Sequence, residues 1–467
     1  MDEDTYYAGV AGQARMIRDG EISSRELTDA LIARINHLDR RLNAFTVVQA
    51  EQAGAEAEAR DRAQHAGEDL PPLHGVPVAI KEEVDVAGHV TTFGGRANST
   101  TAAADAEVVR RLRDAGAVVV GKTTMPEFGQ WPFTESVAHG VTRNPWDMGR
   151  STGGSSGGTA AAVAAGMVPV GIGGDGGGSI RIPAACCGLL GLKPQRGRVT
   201  GAPNEHLWWS LGTTGPLTRS VGDSALVYDA IRGSSATDRF RAGDPRSSFV
   251  EAARTTPGSL RVGWSTEPAA LGVTPAPEHV QAVRDTARLL EELGHRVEEV
   301  DPGYPDPTAA FVPQFFGGVR VQAAAVEHPE RLERRTRETI RLGRWATQAI
   351  VDWAIKQGGK VAARANAVFD RVDLLLTPTI APRPPRVGVL DGVGTVRAAW
   401  LATPMIAYTA LWNVAGNPAA SVPVGFAEDG LPLSVQLVGR HDDEPTILGV
   451  AAQLEQAQPW AAARPAL

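Results

Sequence analysis

Residues 150–183 read Arg150-Ser151-Thr152-Gly153-Gly154-Ser155-Ser156-Gly157-Gly158-Thr159, then an Ala/Val run, then Gly173-Gly174-Asp175-Gly176-Gly177-Gly178-Ser179-Ile180-Arg181-Ile182-Pro183. Ser155 and Ser179 each sit in glycine-dense backbone. Upstream, Lys81 closes the apolar stretch Gly75-Val76-Pro77-Val78-Ala79-Ile80-Lys81. Hydroxyls with one amine suffice for acyl transfer, because a serine becomes a nucleophile once a base takes its proton. Glycines let a backbone turn its N–H groups toward a developing oxyanion. A flexible linker would also be Gly/Ser-rich. Here the run opens instead into a helix former, Thr159–Ala165 ending at Gly166, and an apolar strand candidate, Met167–Ile172.

Lysine usage points the same way. The chain has 46 Lys and Arg residues, and only Lys81, Lys122, Lys193, Lys356 and Lys360 are lysine. Arginine fills the surface role, so a lysine beside an apolar run is less expected as a solvated charge. A desolvated lysine sheds its proton, whereas arginine stays charged.

Three short motifs fit poorly in their context. Gly153-Gly154-Ser155-Ser156-Gly157 matches G-x-S-x-G, but the nucleophile elbow needs a strand running into it, and Asn144–Gly149 is turn-like. Gly171-Ile172-Gly173-Gly174-Asp175-Gly176 matches a dinucleotide fingerprint. Ser179–Pro183 makes a poor helix opening, and residues 192–200 hold no acid. Gly116–Thr123 matches Walker A, yet its Ala117–Val120 is itself the strand.

Taken together and in order, several stretches resemble the amidase signature family. They are Gly75–Glu82, Gly121–Phe128, Asn144–Asp147, Gly153–Gly158, Gly177–Arg181, Gly191–Pro194, Gly215–Arg219 and Asn413–Ala419. The resemblance implies a Ser–cis-Ser–Lys triad, with Ser179 as acylated nucleophile, Ser155 as bridging serine after a cis peptide bond, and Lys81 as base. It implies an oxyanion hole from the N–H groups of Gly176, Gly177, Gly178 and Ser179. The chain departs from the family at Glu82 and Glu83, where Asp-Asn is more usual, at Gly176, where Thr or Ile is common, and at Thr152, which replaces a common Pro. Burial beside Val78 and Ile80 favours a neutral lysine. In an extended segment Glu82 points away from Lys81, whereas Glu83 is able to share its face.

The resemblance further implies an α/β fold, a single large amidase-signature domain over 1–467 with a central mixed sheet flanked by helices. The expected parts are a helical N-terminal region (1–70), a catalytic motif region (71–220) and the rest of the core with pocket segments (221–467). At 467 residues and 43% hydrophobic, the chain buries a large core. Ser23-x-x-Glu26 is a capping box, followed by Leu27, Leu31, Ile35 and Leu38 at helical spacing. Helices are expected over 104–115 and 278–293, strands over 117–120, 260–264 and 296–300, and a long Arg-rich helical segment over 329–371.

A net charge of −7 argues against a nucleic-acid partner. No run of eighteen apolar residues suggests a membrane span, and the acidic start lacks a signal-peptide pattern. Adjacent Cys186 and Cys187 read as small buried residues in a reducing compartment, hence the cytoplasm. No ligand-spaced histidines occur, so neither metal nor cofactor is expected. A homodimer is among the assemblies left open.

The expected activity is that of a stand-alone serine amidohydrolase cleaving C–N bonds of small apolar amides. Aryl and aliphatic amides, carbamates (urethanes) and anilides all suit the chemistry. The pocket candidates are Met125, Gly129, Gln130, Trp131, Phe133, Gly154, Leu207, Trp208 and Trp209. Two alternatives stay open: a glutamine-hydrolysing subunit of a tRNA-dependent amidotransferase, and a non-catalytic or nucleotide-binding protein. Against the first, Ser210-Leu211-Gly212-Thr213-Thr214-Gly215-Pro216 replaces the usual S-L-D-Q-I-G-P.

Overall fold

The computed structural model describes residues 1–204 and 207–467. Its centre is an eleven-stranded mixed sheet. The strands are β1 (Phe45–Val48), β2 (Pro77–Lys81), β3 (Val118–Thr123), β4 (Val170–Asp175), β5 (Leu190–Lys193), β6 (Thr213–Thr218), β7 (Arg261–Trp264), β8 (Arg296–Glu299), β9 (Leu374–Pro378), β10 (Ala419–Phe426) and β11 (Pro432–Val438). They lie in the order β1-β3-β2-β4-β6-β5-β10-β11-β9-β7-β8. β2 runs parallel to both β3 and β4, and β7 runs parallel to β8 and β9; the other pairs are antiparallel.

Both faces of the sheet are covered, which is why β2 and β3 read as continuous apolar runs rather than alternating ones. Val78, Ile80 and Val119 enter one core cluster. Ala79, Val118 and Val120 enter another, with the small residues of the helix Gly157–Ala164. The α/β architecture with a mixed sheet between helices agrees with the sequence reading. No helix among the described residues is long and apolar enough to cross a membrane.

The N-terminal helix Ser24–Leu42 starts where the capping box predicts: Ser23 Oγ accepts from the Glu26 amide at 3.0 Å, and the Ser23 amide donates to Glu26 Oε2 at 2.9 Å. Leu27, Leu31, Ile35 and Leu38 are all buried. Helix Glu107–Asp114 and strands β7 and β8 fall within their expected spans, and helix Pro277–Glu292 lies one residue earlier than expected.

Four expectations shift. The strand expected at 167–172 begins at Val170 and continues through the glycines to Asp175. Pro169 lacks a donor for the ladder. A Cβ on Gly171 would sit 2.5 Å from Thr159 Cγ2, so glycine permits this strand to touch the helix beside it. Likewise β3 runs past Val120 to Thr123, taking in Gly121, where a Cβ would collide with Val47 O. A helix does form at Arg181–Cys187 despite Pro183. First-turn amides have no intrahelical acceptor, so proline costs no hydrogen bond there. Finally, 329–371 is no single helix: helices Arg334–Leu342 and Gln348–Asn366 are joined by 3₁₀ turns at Gly343–Trp345 and capped by another at Ala367–Asp370.

Candidate active site

Parallel pairing of β2 with β4 brings the end of one strand beside the end of the other. Lys81 is the last residue of β2, and the glycine loop carrying Ser179 leaves β4 at Asp175. Lys81 is 1% exposed and donates to Ser155 Oγ at 2.8 Å and to Gly174 O at 3.4 Å. Ser155 follows a cis Gly154–Ser155 peptide bond and precedes the helix Gly157–Ala164. The next residue ties the two serine loops together, because the Ser156 amide donates to Ser179 O at 3.2 Å. Ser155 is entered from a small hairpin, Arg143–Asn144 with Asp147–Ser151, and not from the main sheet, so the elbow motif is absent.

The loop 176–179 is held from behind by a buried network. Asp175 Oδ1 accepts from the Gly178 amide at 2.7 Å, and Oδ2 accepts from the Ile180 amide at 3.2 Å. Arg181 donates Nε to Oδ2 and Nη2 to Oδ1, both at 3.0 Å, and Asn413 Nδ2 donates to Oδ1 at 2.8 Å. Burial alone pushes the Asp175 carboxyl up; the Arg181 charge, with hydrogen bonds from Arg181 and Asn413, overrides it and holds the group below the ordinary carboxylate range. Gly178, at φ +126°, adopts a conformation that favours glycine, and a Cβ there would collide with Thr409 Oγ1.

Within this network one of the expected oxyanion donors already has an acceptor. The Gly178 amide already points at Asp175, so it braces the loop. The amides of Gly176, Gly177 and Ser179 have no such acceptor among the described residues.

Ser179 and Gly177 open onto a cavity of about 510 Å³. Gly129, Gln130, Trp131 and Trp208, four of the pocket candidates, line it. Gly129, at φ +66°, lies close to Ser155: a Cβ there would stand 3.1 Å from Ser155 Oγ and 3.4 Å from Met125 Cε. Other pocket candidates lie elsewhere. Met125 is buried behind Gly129. Phe133 turns into the core, and Gly154 packs against the Trp131–Phe133 backbone. Leu207 lines a second, neighbouring cavity. Trp209 is buried near Gly317 and is not part of the first cavity's wall.

Much of that wall comes from segments the sequence reading did not single out. Helix Thr308–Ala324 contributes Phe311, Phe315 and Phe316, and helix Thr395–Ile406 contributes Ala399, Ala402 and Ile406. Phe315 meets Trp208 edge-on at 5.2 Å and Trp131 at 6.1 Å. The cluster Phe311-Val312-Pro313-Gln314-Phe315-Phe316 was the available signal.

Three of the five lysines are buried: Lys81, Lys122 and Lys193. Lys122 lies within β3, 3.5 Å from Glu82 Oε1, and bonds Val90 O and Thr91 Oγ1, each at 3.1 Å. A phosphate-binding lysine needs a loop, so the Walker reading fails here. Burial pushes Lys193 well below the ordinary lysine range.

The chain is similar to known proteins over nearly its whole length. The Amidase family model matches residues 26–448. A Mycobacterium tuberculosis protein named "Putative amidase AmiB2" is 47% identical over 466 residues, covering 99% of both chains. A structure of 6-aminohexanoate cyclic dimer hydrolase complexed with substrate superposes with a TM-score of 0.91 at 33% identity, covering 98% of this chain and 99% of that one. A bacterial aryl acylamidase of the amidase signature family gives a TM-score of 0.86 at 28% identity, covering 98% and 99%. With a family match over nearly its whole length and relatives that cleave amides, the chain belongs to the amidase family, as an enzyme that hydrolyses amide C–N bonds.

Proposed function

We propose that this enzyme is a stand-alone serine amidohydrolase acting on small, largely apolar amides through an acyl-enzyme on Ser179. The observation that carries the reading is the 2.8 Å contact between Lys81 Nζ and Ser155 Oγ, next to Ser179 in the wall of an apolar cavity. In the first step Ser179 Oγ bonds to the substrate carbonyl carbon. Its proton passes to Ser155 Oγ while the Ser155 proton passes to a neutral Lys81. The resulting oxyanion is received by the amides of Gly176, Gly177 and Ser179, which the Asp175–Arg181 network holds in place before substrate arrives. The proton then returns through Ser155 to the departing nitrogen, the C–N bond breaks, and the amine leaves. Water attacks the Ser179 ester by the same relay, releasing the acid.

The lining supports an apolar substrate. Phe311, Phe315, Trp131, Trp208 and Ile406 offer rings and aliphatic surface, and about 510 Å³ suits a small molecule. Aryl amides, anilides, aliphatic amides and carbamates share the needed carbonyl. The names of the aryl acylamidase and the cyclic-dimer hydrolase support amides of this kind. A glutamine-hydrolysing role fits less well, because no Arg or Lys among the described residues lines the cavity to meet the substrate's α-carboxylate. Two free, buried cysteines suit a cytoplasmic location.

A fluorophosphonate probe followed by peptide mass spectrometry tests the nucleophile. Label on Ser179, absent in Ser179→Ala, is the expected result. Label on another residue, or full turnover of an anilide by Ser179→Ala, overturns the reading.

A further inference from the structure

Lys81 has a neighbour that its proposed role as base does not use. Glu83 Oε1 lies 3.0 Å from Lys81 Nζ, and the Glu83 side chain is only 9% exposed. The chain turns as β2 ends, the Val84 amide donating to Lys81 O at 3.0 Å, and this turn brings Glu83 back to Lys81. Glu82 between them turns to the opposite side, where it accepts from the Thr92 amide and hydroxyl at 2.9 Å and from Thr46, and pairs with Lys122.

The seat of Glu83 is built for it. The carboxylate lies over Gly174, and a Cβ at that position would collide with Glu83 Oε1. The Gly174 carbonyl accepts from Lys81 at 3.4 Å and from Ser156 Oγ at 3.2 Å. Glu83 also forms part of the wall of the second cavity, about 280 Å³, which Trp208 separates from the substrate cavity by lining both.

We propose that Glu83 is a positioning residue for the base: its carboxylate holds Lys81 Nζ against Ser155, supplies the counter-charge to the lysine's protonated form, and links that proton to the second cavity rather than to the substrate. This rests on Lys81 being the base. Before turnover a proton passes from Lys81 Nζ to the Glu83 carboxylate and from there to solvent in the second cavity, which Glu83 lines, and rotation about the Cε–Nζ bond turns the freed lone pair to Ser155 Oγ. No bond other than N–H and O–H changes. Among the described residues, few other charges face the pair. Asp85 lines the same cavity and accepts from Thr91 Oγ1 at 2.6 Å. Glu82 and Lys122 compensate each other across the strand, and Asp175 is neutralised by Arg181 at the end of β4.

The test is the pH profile of kcat/KM and kcat for an anilide with wild type, Glu83→Gln, Gly174→Ala and Lys81→Ala. Glu83→Gln keeps an acceptor for Lys81 but removes the charge. An opposite charge at this range favours the protonated amine. The alkaline-rising limb is therefore expected to move about one unit toward acid, with KM within about twofold and the plateau kcat lowered less than about tenfold. Gly174→Ala, which displaces Glu83 without changing it, is expected to move the limb in the same direction; it serves if Glu83→Gln does not fold. A limb unmoved in whichever variant folds, or a lost plateau with an unmoved limb, overturns the inference for Glu83. Should Lys81→Ala retain turnover, the base assignment itself falls, a failure distinct from that of Glu83.

Discussion

The carboxylate of Asp175 and the guanidinium of Arg181 meet through two contacts of 3.0 Å, and neither side chain is exposed at all. Every remaining acceptor and donor of the pair is engaged by the loop amides, Asn413, Gln436 or the Thr409 carbonyl. Removing one partner leaves an uncompensated buried charge. Arg181→Met is expected to cost about 3–5 kcal/mol of stability, measured by urea unfolding. The Asp175 carboxyl is held below its ordinary pKa of 3.8. Its contribution is therefore present above that value and is lost as pH falls through the lower folded-state value. Equal stability of Arg181→Met and wild type at neutral pH would contradict this account.

Lys81→Arg carries a positive charge but stays protonated near neutral pH, so it offers no lone pair to accept the Ser155 proton. Its kcat for an anilide is expected to fall at least about a hundredfold, as does that of Lys81→Ala. Near-normal turnover by the arginine variant would mean that the position needs only charge.

Glu127 sits under the loop that carries Gly129 and Gln130, and burial raises its carboxyl to about 7. Glu333 accentuates the rise, while Thr336, the Glu333 amide and Arg337 oppose it. In the unfolded chain the group titrates near 4.5, so between the two values the folded state binds more protons. Stability from this group is highest below about pH 4.5 and declines as pH rises toward about 7. Glu127→Gln removes the decline: from about pH 4 to about pH 8 it is expected to gain up to about 3 kcal/mol relative to wild type. Parallel stability curves for the two proteins would contradict the assignment.

Phe315 touches Trp131, Trp208, Phe311 and Phe316. Phe315→Ala is expected to raise KM for aryl and long-chain amides about tenfold, equivalent to about 1.4 kcal/mol of lost contact. KM for a two-carbon amide is expected to change less than about twofold. A uniform rise for all substrates would place Phe315 outside the binding surface.

The relay was more legible than the pocket because sequence motifs preserve chemistry more openly than shape. Lys81, Ser155 and Ser179 stand in glycine-rich or strand-end contexts whose residue types already suggest acyl transfer, and their loops come together through β2 and β4. Strand β4 was read three residues early because glycines look like loop. Here close neighbours require them, Thr159 at Gly171, Leu217 and Ser156 at Gly173 and Glu83 at Gly174, long-range facts invisible in a local window. The helix at Arg181 escaped notice because Pro183 counts against a helix everywhere except its first turn. The acceptor of the Gly178 amide, Asp175, becomes visible only once the loop closes on itself. Phe311, Phe315 and Ile406 reach the cavity from helices far along the chain, and nothing in their spacing distinguishes a pocket wall from ordinary core.

The burial of Lys81, Lys122 and Lys193 has a practical side. Lys356 and Lys360 are the two lysines left exposed, and they lie one turn apart on the same face of the helix Gln348–Asn366. Amine-reactive reagents will therefore find their lysine targets on a single small patch, on a helix that supplies no residue to the substrate cavity. Coupled through that patch to a solid support, the enzyme would be displayed in one dominant orientation, an immobilisation handle that its arginine-rich surface leaves uncontested.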